Sequence, residues 1–176
     1  MKKKESKMKK EEKTNVMRVL DSKKIKYKSH NYVATEAIAG DEVAKTLGQD
    51  PNAVFKTLVT VSKSKSYYVF LVPVSKELDL KKAAKAVGEK KIEMLKSKEL
   101  LPLTGYIHGG CSPIGMKKFF RTVFHVPSKE AQDDGEKTAY DYETIFFSAG
   151  KVGYQVEMPL KELDKVIRFE TADIIV

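Results

Sequence analysis

Apolar and polar positions alternate along this chain with two distinct periods, and the change from one to the other marks out its elements. Val16, Val19, Leu20 and Lys23 fall at helical spacing behind Thr14, whose hydroxyl can cap a first turn; they predict a helix from about Asn15 to Lys24. Tyr27 to Tyr32 reads as a short strand, and Thr35 to Leu47 as a second helix stopped by Gly48 and Asp50-Pro51. The runs Val54–Val61 and Tyr67–Val74 are β-branched and aromatic, and the polar residues Ser62–Ser66 between them predict a hairpin. The second run is apolar on both faces, which suits a strand inside a sheet. Asp79 can cap a helix over Leu80–Val87 that ends at Gly88. Lys91–Leu95 reads as a strand, and Ser97–Leu101 as a helical turn before Pro102. Strands follow at Thr122–Val126, Tyr142–Ser148 and Val152–Met158, with a polar loop from Pro127 to Lys137. Pro159 can open a helix over Leu160–Lys165, and Arg168–Val176 closes the chain as a strand. Strands outnumber helices and do not alternate strictly with them. The expected class is α/β of an α+β-like kind, with a mixed sheet curled toward a barrel.

Composition narrows the setting. A length of 176 residues predicts a single domain over 14–176, preceded by a basic tail over 1–13. That tail carries seven lysines and three glutamates and reads as disordered or frayed. One cysteine removes any disulfide framework, which points to a reducing, cytoplasmic setting. The longest apolar run, Tyr67 to Val74, is too short to span a bilayer, so no membrane partner is expected. The formal charge of +9 suits a phosphate-bearing partner, and suits a lysine-covered soluble surface equally well.

Two segments carry candidate chemistry. Thr104-Gly105-Tyr106-Ile107-His108-Gly109-Gly110-Cys111-Ser112-Pro113-Ile114-Gly115 is a glycine-dense loop where main-chain groups can approach a ligand closely. Val54-Phe55-Lys56-Thr57-Leu58 sets one lysine inside an apolar strand, where its ammonium needs an anionic or hydrogen-bonding partner unless it snorkels to solvent. Gly110 and Gly115 approach a P-loop but Met116 stands where its lysine belongs, so a nucleotide triphosphatase is not indicated. His108, Cys111 and His125 do not match a zinc-site spacing, and no metal or other cofactor is expected. Cys111 beside His108 allows a thiol nucleophile, though pocket lining is the simpler role, and His125 in an apolar strand reads as a hydrogen-bonded structural histidine.

The order and spacing of several pieces resemble the YbaK/EbsC aminoacyl-tRNA deacylase family, itself similar to the editing domain inserted in bacterial prolyl-tRNA synthetases. They are Gly40-Asp41-Glu42-Val43-Ala44 with Leu47-Gly48, Val54 to Val59, Leu78 to Ala84, Thr104 to Tyr106, Gly109 to Gly115, and Ser148-Ala149-Gly150-Lys151. The resemblance runs from about Thr14 to the C-terminus. It implies a trans-editing hydrolase that cleaves the ester of mischarged tRNA, with Cys-tRNA(Pro) or a similar small aminoacyl-tRNA as substrate. Such enzymes answer a physical need, since a synthetase pocket gains only roughly 1–3 kcal/mol per methylene when it rejects a smaller amino acid.

The same resemblance assigns roles. Lys56 is implied to hold the terminal nucleotide and ester, and Gly109, Gly110 and Cys111 to supply main-chain groups around the reacting carbonyl. Ser112 and Pro113 complete that loop, Tyr32 is an aromatic at the mouth suited to stacking on adenine, and Ser148 borders the pocket. Gln155 stands where several relatives carry a carboxylate, and Ala39 where an aromatic is common. The implied partners are tRNA and prolyl-tRNA synthetase. A non-catalytic tRNA- or synthetase-associated module remains the alternative.

Overall fold

The structure is a computed structural model and describes residues 13–33 and 40–176. Residues 1–12 of the lysine-rich tail, Ala39 and the start of the helix expected from Thr35 lie outside the described residues.

The first helix, α1 (Asn15–Ser22), begins where Thr14 accepts a hydrogen bond from the Met17 N–H, and it buries Val16, Met17 and Leu20. Strand β1 (Lys28–Asn31) follows, then α2 (Gly40–Thr46). The hairpin forms as expected from β2 (Phe55–Ser62) and β3 (Tyr67–Pro73), and α3 (Leu80–Ala86) starts where Asp79 accepts from the Lys81 and Lys82 N–H groups. β4 (Ile92–Met94) leads into α4 (Ser97–Thr104), which runs past Pro102. In so short a helix the proline removes one main-chain donor, and the carbonyl left over belongs to the exposed Lys98, where water can satisfy it. After β5 (Arg121–His125), the expected polar loop contains a short helix α5 (Lys129–Asp133), capped by Ser128 accepting from the Ala131 N–H. The last elements are β6 (Ile145–Ser148), β7 (Tyr154–Met158), α6 (Leu160–Leu163) and β8 (Glu170–Ala172).

The strands form two sheets. One has five strands in the order β4-β2-β3-β5-β8, and the other three in the order β1-β7-β6. In the larger sheet β2 is antiparallel to both β3 and β4, while β5 is parallel to β3 and β8 parallel to β5. The smaller sheet is antiparallel throughout. Neither closes, so the expected barrel-like curl is not what the chain builds. The reason lies in the outer edge of β2. β4 pairs with it from Thr60 to Ser62, and β6 reaches that edge at the bridge between Val54 and Phe146. Among the described residues no strand pairs with the stretch between, Lys56 to Leu58, on that side, and the sheets part there like an open seam.

The core explains why the seam holds its shape. One cluster joins Phe55, Phe124, Phe147, Ile145, Met158 and the buried face of α1 between the two sheets. A second packs α3 against the far face of the larger sheet through Phe70, Val72, Val123 and Ile174. Phe70, Phe124 and Phe147 are among the largest fully buried side chains, and rings of this size carry much of the burial energy.

Candidate functional site

The seam contains a cavity of about 240 Å³. Its walls come from Val54 to Leu58 on one side, Phe147, Ser148, Tyr154 and Gln155 on the other, and His108, Gly109 and Cys111 across the top. Six sequence-predicted residues therefore meet here: Tyr32, Lys56, Gly109, Cys111, Ser148 and Gln155. The other three, Gly110, Ser112 and Pro113, are buried behind the wall and do not line it.

Lys56 is neither sealed in nor fully snorkelled. Its side chain is 30 % exposed, and its Nζ lies 3.6 Å from Oε1 of Glu77, an exposed carboxylate. A long pair of this kind is weak and easily exchanged for a stronger anion. Thr57, the next residue, was not singled out from sequence. Its Oγ1 is the one buried side-chain polar atom without a hydrogen-bond partner among the described residues. The bonds Val74 N–H to Val54 and Ser62 N–H to Ser66 fix even-numbered β2 residues as the hydrogen-bonded partners of β3. The N–H and C=O of Thr57 consequently face the seam. A peptide unit left unmatched inside a folded protein carries a cost that a ligand can relieve.

The glycine loop is held from behind. Tyr106 donates its hydroxyl hydrogen to the Ile114 carbonyl, and a side chain at Gly115 would strike Asn15 of α1 and that same tyrosine at 2.8 Å. Gly109 has φ of +86°, a conformation that favours glycine, and a Cβ on Gly110 would come within 3.1 Å of the Val152 main-chain nitrogen. The loop thus packs main chain against main chain. The Gly110 N–H is spent on the Ile107 carbonyl at 3.0 Å, which removes it as a donor to a reacting carbonyl. The N–H groups of Gly109, Cys111 and Ser112 make no hydrogen bond to any described residue, and Gly109 and Cys111 line the cavity. Ser112 Oγ is used internally, accepting from the Ile114 N–H.

Burial pushes the Cys111 thiol up to about 12. It therefore stays protonated near neutrality and is a poor nucleophile. His108 lines the same cavity, but no group of three or more His, Cys, Asp or Glu suited to a metal occurs among the described residues.

Comparison with known proteins decides the family. The model of the aminoacyl-tRNA editing domain matches residues 36–166. The candidate Cys-tRNA(Pro)/Cys-tRNA(Cys) deacylase EbsC of Enterococcus faecalis is 45% identical over 154 residues, 87% of each chain. The chain belongs to the aminoacyl-tRNA editing domain family. Two solved structures share the fold of this editing domain. A candidate trans-editing enzyme for prolyl-tRNA synthetase superposes with a TM-score of 0.74 at 23% identity, covering 93% of this chain and 98% of that one. The hypothetical protein APE2540 gives 0.76 at 18% identity, covering 93% and 100%.

Two further features shape the editing-domain pocket. Ser148 Oγ accepts from the Gly150 N–H at 3.1 Å and so fixes the turn after β6. Gln155, 3% exposed, forms a double amide pair with Gln49: Gln49 Nε2 donates at 2.7 Å and Gln155 Nε2 donates back at 3.0 Å. Each amide retains one donor and one acceptor site, and the pair as a whole is neutral. Gln49 is a residue that sequence reasoning missed, because nothing local links it to a strand 106 positions away.

Proposed function

We propose that the protein hydrolyses mischarged aminoacyl-tRNA in trans, with Cys-tRNA(Pro) as the first substrate to test. The observation that carries this reading is the meeting of Lys56 and the glycine loop in one cavity at an unpaired strand edge. At about 240 Å³ the space falls below the roughly 300–1,000 Å³ of ordinary ligand pockets. It suits a small aminoacyl group, with the terminal adenosine lying toward Tyr32 at the mouth.

In this reading the Lys56 ammonium leaves Glu77 for the ester or the adjoining phosphate, a charge-assisted contact worth roughly 1.5–3 kcal/mol. The N–H groups of Gly109 and Cys111 receive the negative charge that develops on the carbonyl oxygen, an effect of roughly 3–4 kcal/mol per donor in other enzymes. The Gln155 oxygen meets the substrate's α-amine. With no thiolate available from Cys111, the attacking group comes from the substrate or from water. For a cysteinyl ester, the substrate sulfur attacks the carbonyl carbon and the C–O bond to ribose breaks. The departing ribose oxygen takes up the thiol proton, and water then opens the resulting thiolactone to free cysteine. Alanyl and seryl esters would instead take water directly. Correct placement supplies most of the acceleration in either case.

The similarity to EbsC supports the reaction, and we propose that it takes place in the cytoplasm in association with prolyl-tRNA synthetase. We further propose that residues 14–176 act as one editing domain. The test is amino-acid release from Cys-, Ala- and Ser-charged tRNA(Pro) by the wild-type protein and by Lys56→Ala. Release from at least one ester that collapses in the variant is expected. Folded wild-type protein that hydrolyses none of them would remove the proposal. Salt-sensitive tRNA binding unaffected by Lys56→Ala would then identify a binding module.

A further inference from the structure

A second cavity, of about 280 Å³, shares Phe55 with the seam pocket, and the proposed reaction uses none of its polar groups. It is lined by His125, the last residue of β5, which is only 5% exposed. Its Nδ1 accepts the Ile174 N–H at 3.2 Å. Burial drives its pKa down to about 4, so the ring is neutral and its proton sits on Nε2. That N–H has no partner among the described residues and is not sealed from solvent, so it opens on the cavity. A side chain this deeply placed ordinarily has both nitrogens matched.

The rim supplies charge. Lys76 and Lys137 are exposed and enter no ion pair among the described residues, and Lys137 Nζ stands 5.4 Å from the centre of the Tyr142 ring. Glu136 is the one carboxylate among the lining residues, against these two ammonium groups. Phe55 and Tyr142 add aromatic side chains to a lining that is otherwise largely polar. A buried donor, aromatic side chains and a cationic rim ask for a ligand with a flat ring bearing an acceptor and, a short reach away, a phosphate. Its volume lies near the roughly 300 Å³ lower limit for ligand sites, enough for one ring and one phosphate.

We propose that this cavity is a second ligand site that takes a pyrimidine nucleotide unit. The base lies against Phe55 and Tyr142 with an acceptor on the His125 Nε2–H, and the phosphate sits between Lys76 and Lys137. Two sources share this chemistry, a free nucleotide and a nucleotide within the tRNA; the second rests on the function proposed above.

The direct test titrates cytidine 5′-monophosphate into the full-length protein while the His125 ring resonances are followed by NMR. A saturable shift of His125 is expected, with affinity falling about tenfold in Lys76→Ala/Lys137→Ala and about tenfold for cytidine lacking the phosphate. Both lysines are exposed, so the variant retains the fold. A nucleotide that leaves His125 unmoved, perturbs only residues around Lys56, or binds the variant unchanged would overturn the proposal. Steady-state deacylation of Cys-tRNA(Pro) then separates the sources, with Lys90→Ala/Lys91→Ala as a charge-matched control. A KM raised in the rim variant but not in the control assigns the site to the tRNA. An unchanged KM beside weakened nucleotide binding assigns it to the free ligand. Because the titration does not depend on turnover, it still decides whether the cavity binds a nucleotide even if no ester is hydrolysed.

Discussion

Phe55 stands between two cavities that arise by different means. The seam pocket exists because β4 and β6 both stop short along β2, which leaves the Thr57 peptide group and Lys56 facing the gap. The second cavity is assembled from side chains at the C-terminal ends of β3 and β5, roofed by the segment 136–142. The first therefore depends on where strands end, and substitution can adjust its chemistry only within the limits the main chain sets. The second depends on residue identity and can be retuned one side chain at a time.

The sharpest way to probe the contrast is Lys56→Ala, which removes the one lysine or arginine among the described residues lining the seam pocket. A loss of about 100-fold in kcat/KM on Cys-tRNA(Pro) is expected, near 3 kcal/mol, with an unchanged melting temperature. A loss under about fivefold would show that main chain alone does the chemistry.

The next effect belongs to the other cavity. His125 has a folded-state pKa of about 4, below the 6.5 of a free histidine. Unfolded chains bind the proton first, so the stability contributed by the neutral ring is full above about pH 6.5 and is lost as pH falls toward 4. The full shift, discounted because the cavity opens to solvent, corresponds to roughly 2 kcal/mol. Urea unfolding at pH 7 and pH 4.5, compared between wild type and His125→Gln, reads that loss; an equal pH dependence in both would place its origin elsewhere.

Gln49→Ala strips Gln155 of its partner without touching the cavity wall. A stability loss of roughly 1–2 kcal/mol is expected from the unmatched buried amide, together with a narrower preference between Cys- and Ala-charged tRNA. Denaturant midpoints and paired kcat/KM values report the two effects. An unaltered preference would make Gln49 structural only.

Smallest is Thr57→Val, which replaces an unmatched hydroxyl with a methyl group of similar shape. Stability should hold or rise by a few tenths of a kcal/mol while kcat/KM stays within about twofold, because the hydroxyl is sealed from the cavity. A variant clearly less stable than wild type would contradict the unmatched state of this hydroxyl.

What could be read in the sequence was local, or held in one peculiar residue. Thr14 and Asp79 cap their helices because the signal lies within three positions of the donors it satisfies. Lys56 drew notice because a charge amid apolar neighbours needs a reason, and the family motifs carried the glycine loop into the same pocket. The rest depended on distant events. Whether the sheet closed turned on how far β4 and β6 run beside β2, and the exposure of Thr57 follows from that outcome. The Gly110 N–H was lost to a tight turn that glycine density cannot reveal, and the pairing of Gln49 with Gln155 joins an inter-element loop to β7. The short helix after Ser128 was hidden by its polar composition; its cap is the one cue that could have exposed it.

The gap along β2 has one more effect. Unpaired strand edges invite other chains to add themselves, and proteins commonly blunt them with charge or cover. Here the vacant edge lies inside a cleft of about 240 Å³, walled by Phe147 and the 108–111 segment. A small acyl ester can enter, whereas an incoming polypeptide cannot lie down beside it. Reactive main chain is thereby kept available to a substrate and withheld from self-association by the same narrow opening.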